Sequence, residues 1–275
     1  MIPSMAVVAW RRWLAWAGLA GVVALSAAGC AAPASGDSGT SRDIVTESDE
    51  PELRRRARIR MELAVGYFEQ GQTNVALDEL KQVIASDPTF PDAYNLRGLI
   101  YMRLNDTRQA EESFRRAVSL NPRDSNVQHN YGWLLCQQGR FDESQKAYDA
   151  AMSNGLYTGR AKTLMAQGLC QARAGNTADA ERSLARSYEL DAGNPVTGYN
   201  LAGLLFRRGD FARAQFYIRR LNNSEFANAE TLWLGIKVER RLNDPVAMGQ
   251  LAEQLHKRFG QSREAAAYDR RAFDE

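Results

Sequence analysis

Five side chains in this 275-residue sequence are suited to nucleophilic, acid–base or metal chemistry near neutral pH: Cys30, Cys136, Cys170, His129 and His256. A thiol becomes a nucleophile when a nearby imidazole takes its proton, and cysteines or histidines hold zinc when they occur as closely spaced pairs. The spacing supports neither chemistry. No two cysteines stand two to four residues apart, no two histidines share a helical turn, and no glycine-rich phosphate loop occurs. Both histidines are expected as polar residues of a surface or groove, not as bases or ligands. Cys136 and Cys170 could form a bridge if their Cα atoms came within about 7 Å. Helices often forbid that approach, so a pair of buried thiols is the expectation. No catalytic or metal-binding constellation and no cofactor is predicted, so the chain reads as a binding protein and not an enzyme.

Cys30 has a different setting. Arg11 and Arg12 precede an uncharged, mostly apolar run from Trp13 to Ala28, the layout of an export signal. The run Leu25-Ser26-Ala27-Ala28-Gly29-Cys30 resembles the lipobox of bacterial lipoproteins. That resemblance implies removal of residues 1–29, a diacylglycerol and an N-acyl chain on Cys30, and, with Ala31 and not Asp after the cysteine, delivery to the periplasmic face of the outer membrane. A plain signal peptide and an uncleaved anchor are the alternatives. Residues 30–51 are rich in Ala, Ser, Gly, Thr, Asp and Glu and are expected to form a disordered tether. Such a segment has a mean span of roughly 25 Å. Its Gly36-Asp37-Ser38-Gly39 is similar to the tetrapeptide around the nucleophile of trypsin-like proteases, but no β-barrel accompanies it and both histidines lie in helical repeats.

The helical elements announce themselves by period. Ala64, Gly98, Gly132, Gly168, Ala202 and Gly235 recur at steps of 33 to 36 residues, and each is followed twelve residues later by Ala76, Ala110, Ser144, Ala180, Ala214 or Ala247. Small side chains at two fixed points of a helical hairpin allow its helices to cross closely. Large apolar residues surround them: Leu63, Tyr67 and Leu80, then Tyr94, Tyr101 and Phe114, with Tyr148, Leu184, Ile218 and Leu251 equivalent to Phe114. Gly71, Asn105, Gly139, Gly175, Gly209 and Asn243 mark the hairpin turns. Pro88 and Pro122 close repeats, and Pro195 opens one. The insertion at residues 153–159 is a longer loop or, alternatively, a local bend or partner-contact loop.

These positions resemble the tetratricopeptide consensus from Ala57 to Gly260. The implied fold is all-α: a right-handed superhelical solenoid of six tetratricopeptide repeats over residues 52–260, closed by a C-terminal capping helix over 261–275. In such a solenoid the concave face is lined by each repeat's first helix. The repeat register projects Phe68, Leu99, Met102, Trp133, Met165, Leu169, Tyr199 and Phe206 onto it, flanked by Arg103, Arg173 and Arg207. The expected site is therefore an apolar groove for a helical or extended segment of another protein. Nucleic acid is a poor partner for a chain with 35 basic and 33 acidic residues, or 33 of each once Arg11 and Arg12 are removed.

Several stretches are more specific. Asn130 to Gly139, Gly168-Leu169-Cys170, Leu201 to Tyr217 and Leu232 to Arg240 resemble the PilF/PilW family of type IV pilus pilotins, although His129 stands where that family often has Asn and Phe259-Gly260 where it often has Phe-Pro. The resemblance implies a lipoprotein that binds the pilus secretin, the ring-forming outer-membrane pore, and promotes its localisation and multimerisation. Another outer-membrane repeat lipoprotein, serving β-barrel assembly or cell-wall hydrolases, is the alternative.

Overall fold

The computed structural model describes residues 51–273; the leader, Cys30 and most of the tether lie outside them. Among the described residues there are thirteen helices and no strand. They form six hairpins: α1 (Glu52–Glu69) with α2 (Thr73–Ser86), α3 (Pro91–Arg103) with α4 (Thr107–Leu120), α5 (Ser125–Gln137) with α6 (Phe141–Met152), α7 (Arg160–Arg173) with α8 (Thr177–Leu190), α9 (Pro195–Arg208) with α10 (Phe211–Asn222), and α11 (Ala229–Arg241) with α12 (Pro245–Phe259). A short α13 (Arg263–Asp269) packs on α11 and α12. This is the all-α repeat solenoid that the period implies. Successive first helices touch one another while successive second helices stand apart. The first helices therefore line the inside of the curve.

The hairpins close where the sequence places its small residues. A β-carbon added to Gly98 would stand 2.7 Å from the Phe114 ring, and one on Gly132 would stand 2.9 Å from the Tyr148 ring. Gly168 meets Leu184 at 2.7 Å in the same way, and Gly235 meets Leu251 at 3.1 Å. Each partner comes sixteen residues after its glycine, so one large side chain of the second helix lies flat on the bare backbone of the first. Ala64 and Ala202 are fully buried at the equivalent points. Of the second-helix positions only Ala247 is incompletely buried, in the last repeat. Leu63 departs from expectation. It is 48% exposed, because its neighbour Ala64 takes the inward position on α1.

All six hairpin turns use one device. Gly71, Asn105, Gly139, Gly175, Gly209 and Asn243 have positive φ. In each, that residue and the next donate N–H groups back to carbonyls of the last helical turn; Gly209 bonds Phe206 O at 3.0 Å and Asp210 bonds Leu205 O at 2.9 Å. This satisfies the helix end and turns the chain sharply, and only Gly or Asn adopts that conformation cheaply. Asp106, Asp210 and Asp244 then cap the second helices by accepting backbone N–H bonds.

Polar side chains join the repeats at one register position. Glu111 pairs with Arg140 at 2.6 Å, Gln145 accepts from Gln171 at 3.1 Å, Glu181 pairs with Arg208 and with Arg213 at 2.9 Å, and Gln215 donates to Glu239 at 2.7 Å. Glu239 is fully buried and held by Arg219 at 2.7 and 2.9 Å.

Two expectations fail between repeats three and four. Cys136 and Cys170 form a disulfide, with Cα atoms 5.8 Å apart, and are not free thiols. Cys136 stands four residues after Gly132 and Cys170 only two after Gly168. That offset places the sulfurs on the facing sides of α5 and α7, which are in direct contact. His129 is likewise not at a surface or in a groove. It is buried beneath α7, where Thr163 Oγ1 lies 2.9 Å from its Nδ1 and 3.0 Å from the Tyr157 hydroxyl. Tyr157 comes from the insertion, so that loop also fills the joint. The capping helix is shorter than expected. It ends at Asp269 in the same turn motif, with Arg271 at positive φ, and the following residues fold back over α11.

Two measurements test this account. Gly98→Ala should cost about 1–3 kcal/mol in chemical denaturation because the Phe114 ring must move. Gly66→Ala, with nothing within 4 Å of the new carbon, should gain about 0.5–1 kcal/mol; equal effects would refute the crossing account. Burial, reinforced by Lys162, pulls the His129 pKa down to about 4. Between pH 6.5 and 4 the unfolded chain therefore takes up a proton that the folded chain refuses. Stability should fall by roughly 3 kcal/mol as pH drops through that window. His129→Asn should remove this component. His256, whose pKa is raised by the Ala252 carbonyl and Asp269, acts in the opposite sense in both proteins.

Candidate functional site

Every residue that the register projects into the groove lies on a first helix and is half-buried. Phe68 on α1 lies under the Arg103 guanidinium, 5.2 Å from its ring centroid, and its carbonyl accepts from Arg103 at 3.1 Å. Leu99 and Met102 on α3 pack on the buried cluster of Ala110, Phe114 and Leu134. Trp133 on α5 packs beside the disulfide, Tyr148 and Ala166. Met165 on α7 and Tyr199 and Phe206 on α9 flank the cluster around Leu184, Leu201 and Ile218. Leu169 is half-buried on α7. Each of these side chains thus closes the core with one side and leaves part of its apolar surface outward.

The groove is not uniform. Tyr199 and Phe206 open into a cleft of about 890 Å³ between α9, α11 and α13, and the other six projected residues do not line it. Its remaining walls come from residues that the projection misses: Glu230, Trp233, Lys237 and Arg241 on α11, Arg263 and Glu264 on α13, and Arg270 and Phe273 beyond it. In α11 the projected register positions Leu232, Ile236 and Glu239 are fully or almost fully buried. α12 and the cap engage Leu232 and Ile236, α10 engages Glu239, and a neighbouring stripe faces the cleft. The signal was present in the sequence, since Glu230, Trp233, Lys237 and Arg241 recur at steps of three and four.

The cleft joins aromatic surface to positive charge. Phe273 stacks on Trp233 with ring centroids 5.4 Å apart, and the Arg240 guanidinium lies 4.3 Å from the Phe273 centroid. Lys237 Nζ sits 5.8 Å from the Phe206 centroid and 5.5 Å from that of Trp233. Burial among these rings holds the Lys237 pKa below its ordinary value. Burial, helped by Glu230 and Glu264, raises that of Tyr199. Glu264 lies 3.6 Å from Arg263.

This arrangement is suited to binding. Among the described residues no three of His, Cys, Asp and Glu converge to hold a metal. His129 is enclosed, the two described cysteines are bonded to each other, and His256 donates from Nδ1 to Ala252 O within α12 at 2.8 Å while its Nε2, 2.9 Å from Asp269, ties α12 to α13. No described helix is long and apolar enough to cross a membrane.

Comparison with known proteins agrees with the repeat architecture. Tetratricopeptide-repeat models match residues 66–105, 91–124, 113–146 and 130–195. The type IV pilus assembly protein PilF of Pseudomonas aeruginosa is 25% identical over 199 residues, covering 72% of this chain and 79% of that protein. The crystal structure of PilW, a widely conserved type IV pilus biogenesis factor, superposes with a TM-score of 0.71 at 28% identity, covering 77% of this chain and 97% of PilW. The P. aeruginosa PilF structure shares the fold, with a TM-score of 0.73 at 23% identity over 80% of this chain and all of that one. The similarity runs along the solenoid and is not confined to one repeat: the chain is a tetratricopeptide-repeat protein homologous to PilF and structurally similar to PilW, both of them proteins of type IV pilus biogenesis.

Proposed function

We propose that this protein is an outer-membrane lipoprotein pilotin: it binds the type IV pilus secretin and promotes its localisation and multimerisation. The observation that carries this reading is the similarity to PilF and PilW over most of the solenoid. Two features of the chain agree with it. The Cys30 motif follows an export-type leader, and a Cys136–Cys170 disulfide persists only in an oxidising compartment such as the periplasm.

The chemistry divides between the two ends of the chain. Several acyl chains on Cys30 give a stable membrane anchor, whereas one chain gives only marginal attachment. A tether of about 20 residues lets the solenoid reach a partner without fixing its orientation. The half-buried stripe of Phe68, Leu99, Met102, Trp133, Met165, Leu169, Tyr199 and Phe206 then receives an apolar segment of the secretin. Arg103, Arg173 and Arg207 at its edge bias the choice of segment. Bringing subunits of the pore to one membrane raises their local concentration, and multimerisation follows by mass action.

A deletion strain tests the reading through twitching motility and the yield of secretin multimers. Both should fall, and the wild-type gene should restore them. Cys30→Ala should leave the protein folded but displace the multimers from the outer membrane. Trp133→Ala with Phe206→Ala should weaken secretin capture at least about tenfold in a protein whose circular dichroism is unchanged. Normal multimers and motility in the deletion strain, or recovery of β-barrel assembly proteins or cell-wall hydrolases in place of a secretin, would overturn the pilotin assignment.

A further inference from the structure

The cleft at the C-terminal end of the solenoid differs in chemistry from the rest of the first-helix row. Five cations, Arg207, Lys237, Arg241, Arg263 and Arg270, face two carboxylates there, in a chain whose formal charge is only +2 over 275 residues. Among them lies an aromatic shelf, and the chain itself shows what that shelf accepts: the ring of Phe273 rests on Trp233, 5.4 Å between centroids.

We propose that the cleft between α9, α11 and α13 is a second docking site, for an extended acidic protein segment that carries an aromatic side chain. An acidic side chain entering the cleft meets Lys237 between the rings of Phe206 and Trp233, where water is partly excluded and a charge pair is worth more than at an open surface. Its neighbouring aromatic ring takes the place of Phe273 on Trp233, which that stack leaves only 8% exposed. The two carboxylates choose the class of partner. Glu230 and Glu264 can accept N–H groups from a peptide backbone, whereas a phosphodiester backbone offers only acceptors and would be repelled. The volume of about 890 Å³ exceeds what one side chain fills and suits a short stretch of chain. This site goes beyond the pilotin reading and does not rest on it, because nothing in its chemistry requires that the acidic segment belong to a secretin.

The test uses the full chain and a fluorescein-labelled decapeptide of alternating Glu and Phe, read by fluorescence anisotropy. The peptide should bind at about 50 mM salt and lose affinity about tenfold or more at about 500 mM, where exposed charges are screened. Replacing every Glu of the peptide by Gln should weaken binding to a similar degree. The double variant Arg207→Gln and Arg241→Gln changes two exposed positions and should lower affinity at least about tenfold; if circular dichroism shows it unfolded, Arg207→Gln alone is read instead. Absence of binding at low salt, equal binding of the Gln peptide, unchanged affinity of the variant, or equally tight binding of a labelled oligothymidylate would each overturn the proposal. Motility and multimer assays do not enter this test, so its failure is separable from failure of the pilotin assignment.

Discussion

The structure depends on a bare glycine backbone meeting a large side chain sixteen residues later. Phe114 on Gly98 and Tyr148 on Gly132 bring the two helices of a hairpin closer than any pair of larger residues would permit. Hairpins closed in this way stack side by side. Successive first helices then touch while successive second helices spread apart, and the row curves. The groove, the half-buried character of its residues and the contact of α5 with α7 all follow from this spacing. A single hairpin would leave its apolar stripe in water, so each crossing is also stabilised by the repeat beyond it.

The period, the turns and the crossings were legible in the sequence because each needs a particular residue type: a missing side chain at Gly98, or a left-handed backbone at Gly209. What could not be read was the rotation of one helix about its own axis. The repeat register alone gives every first helix the same exposed face, whereas at α5 His129 and Cys136 and at α11 Leu232, Ile236 and Glu239 occupy those positions and are turned inward, and Trp233 and Lys237 line the cleft instead. The disulfide was missed for a related reason. Whether sulfurs on neighbouring helices meet depends on how the two helices are rotated against each other, and here Cys136 and Cys170 meet from different register positions, four residues after Gly132 and two after Gly168. His129 resembled an ordinary polar residue because its burial is supplied by Tyr157 and Thr163, 28 and 34 positions away in the chain.

Between the repeats, the second-helix position occupied in turn by Glu111, Gln145, Glu181 and Gln215 always reaches the next repeat. Exposed members such as Arg213 contribute little stability because water screens them. The buried Glu239 is a different case, since its carboxylate has left water and must keep Arg219 and Gln215. We regard such contacts as setting register more than adding stability: a repeat slipped by one turn would strand a charge in apolar surroundings.

Because every hairpin touches only its neighbours, thermal opening of such a stack starts at either end and travels inward. The Cys136–Cys170 bond stands in the middle of that path. It keeps repeats three and four in register even while a terminal hairpin is open, so opening at one end need not spread to the other. The cationic cleft and the apolar residues of the first two repeats, Phe68, Leu99 and Met102, lie on opposite sides of that covalent joint, so the loosening of one terminal hairpin is not passed on to the other.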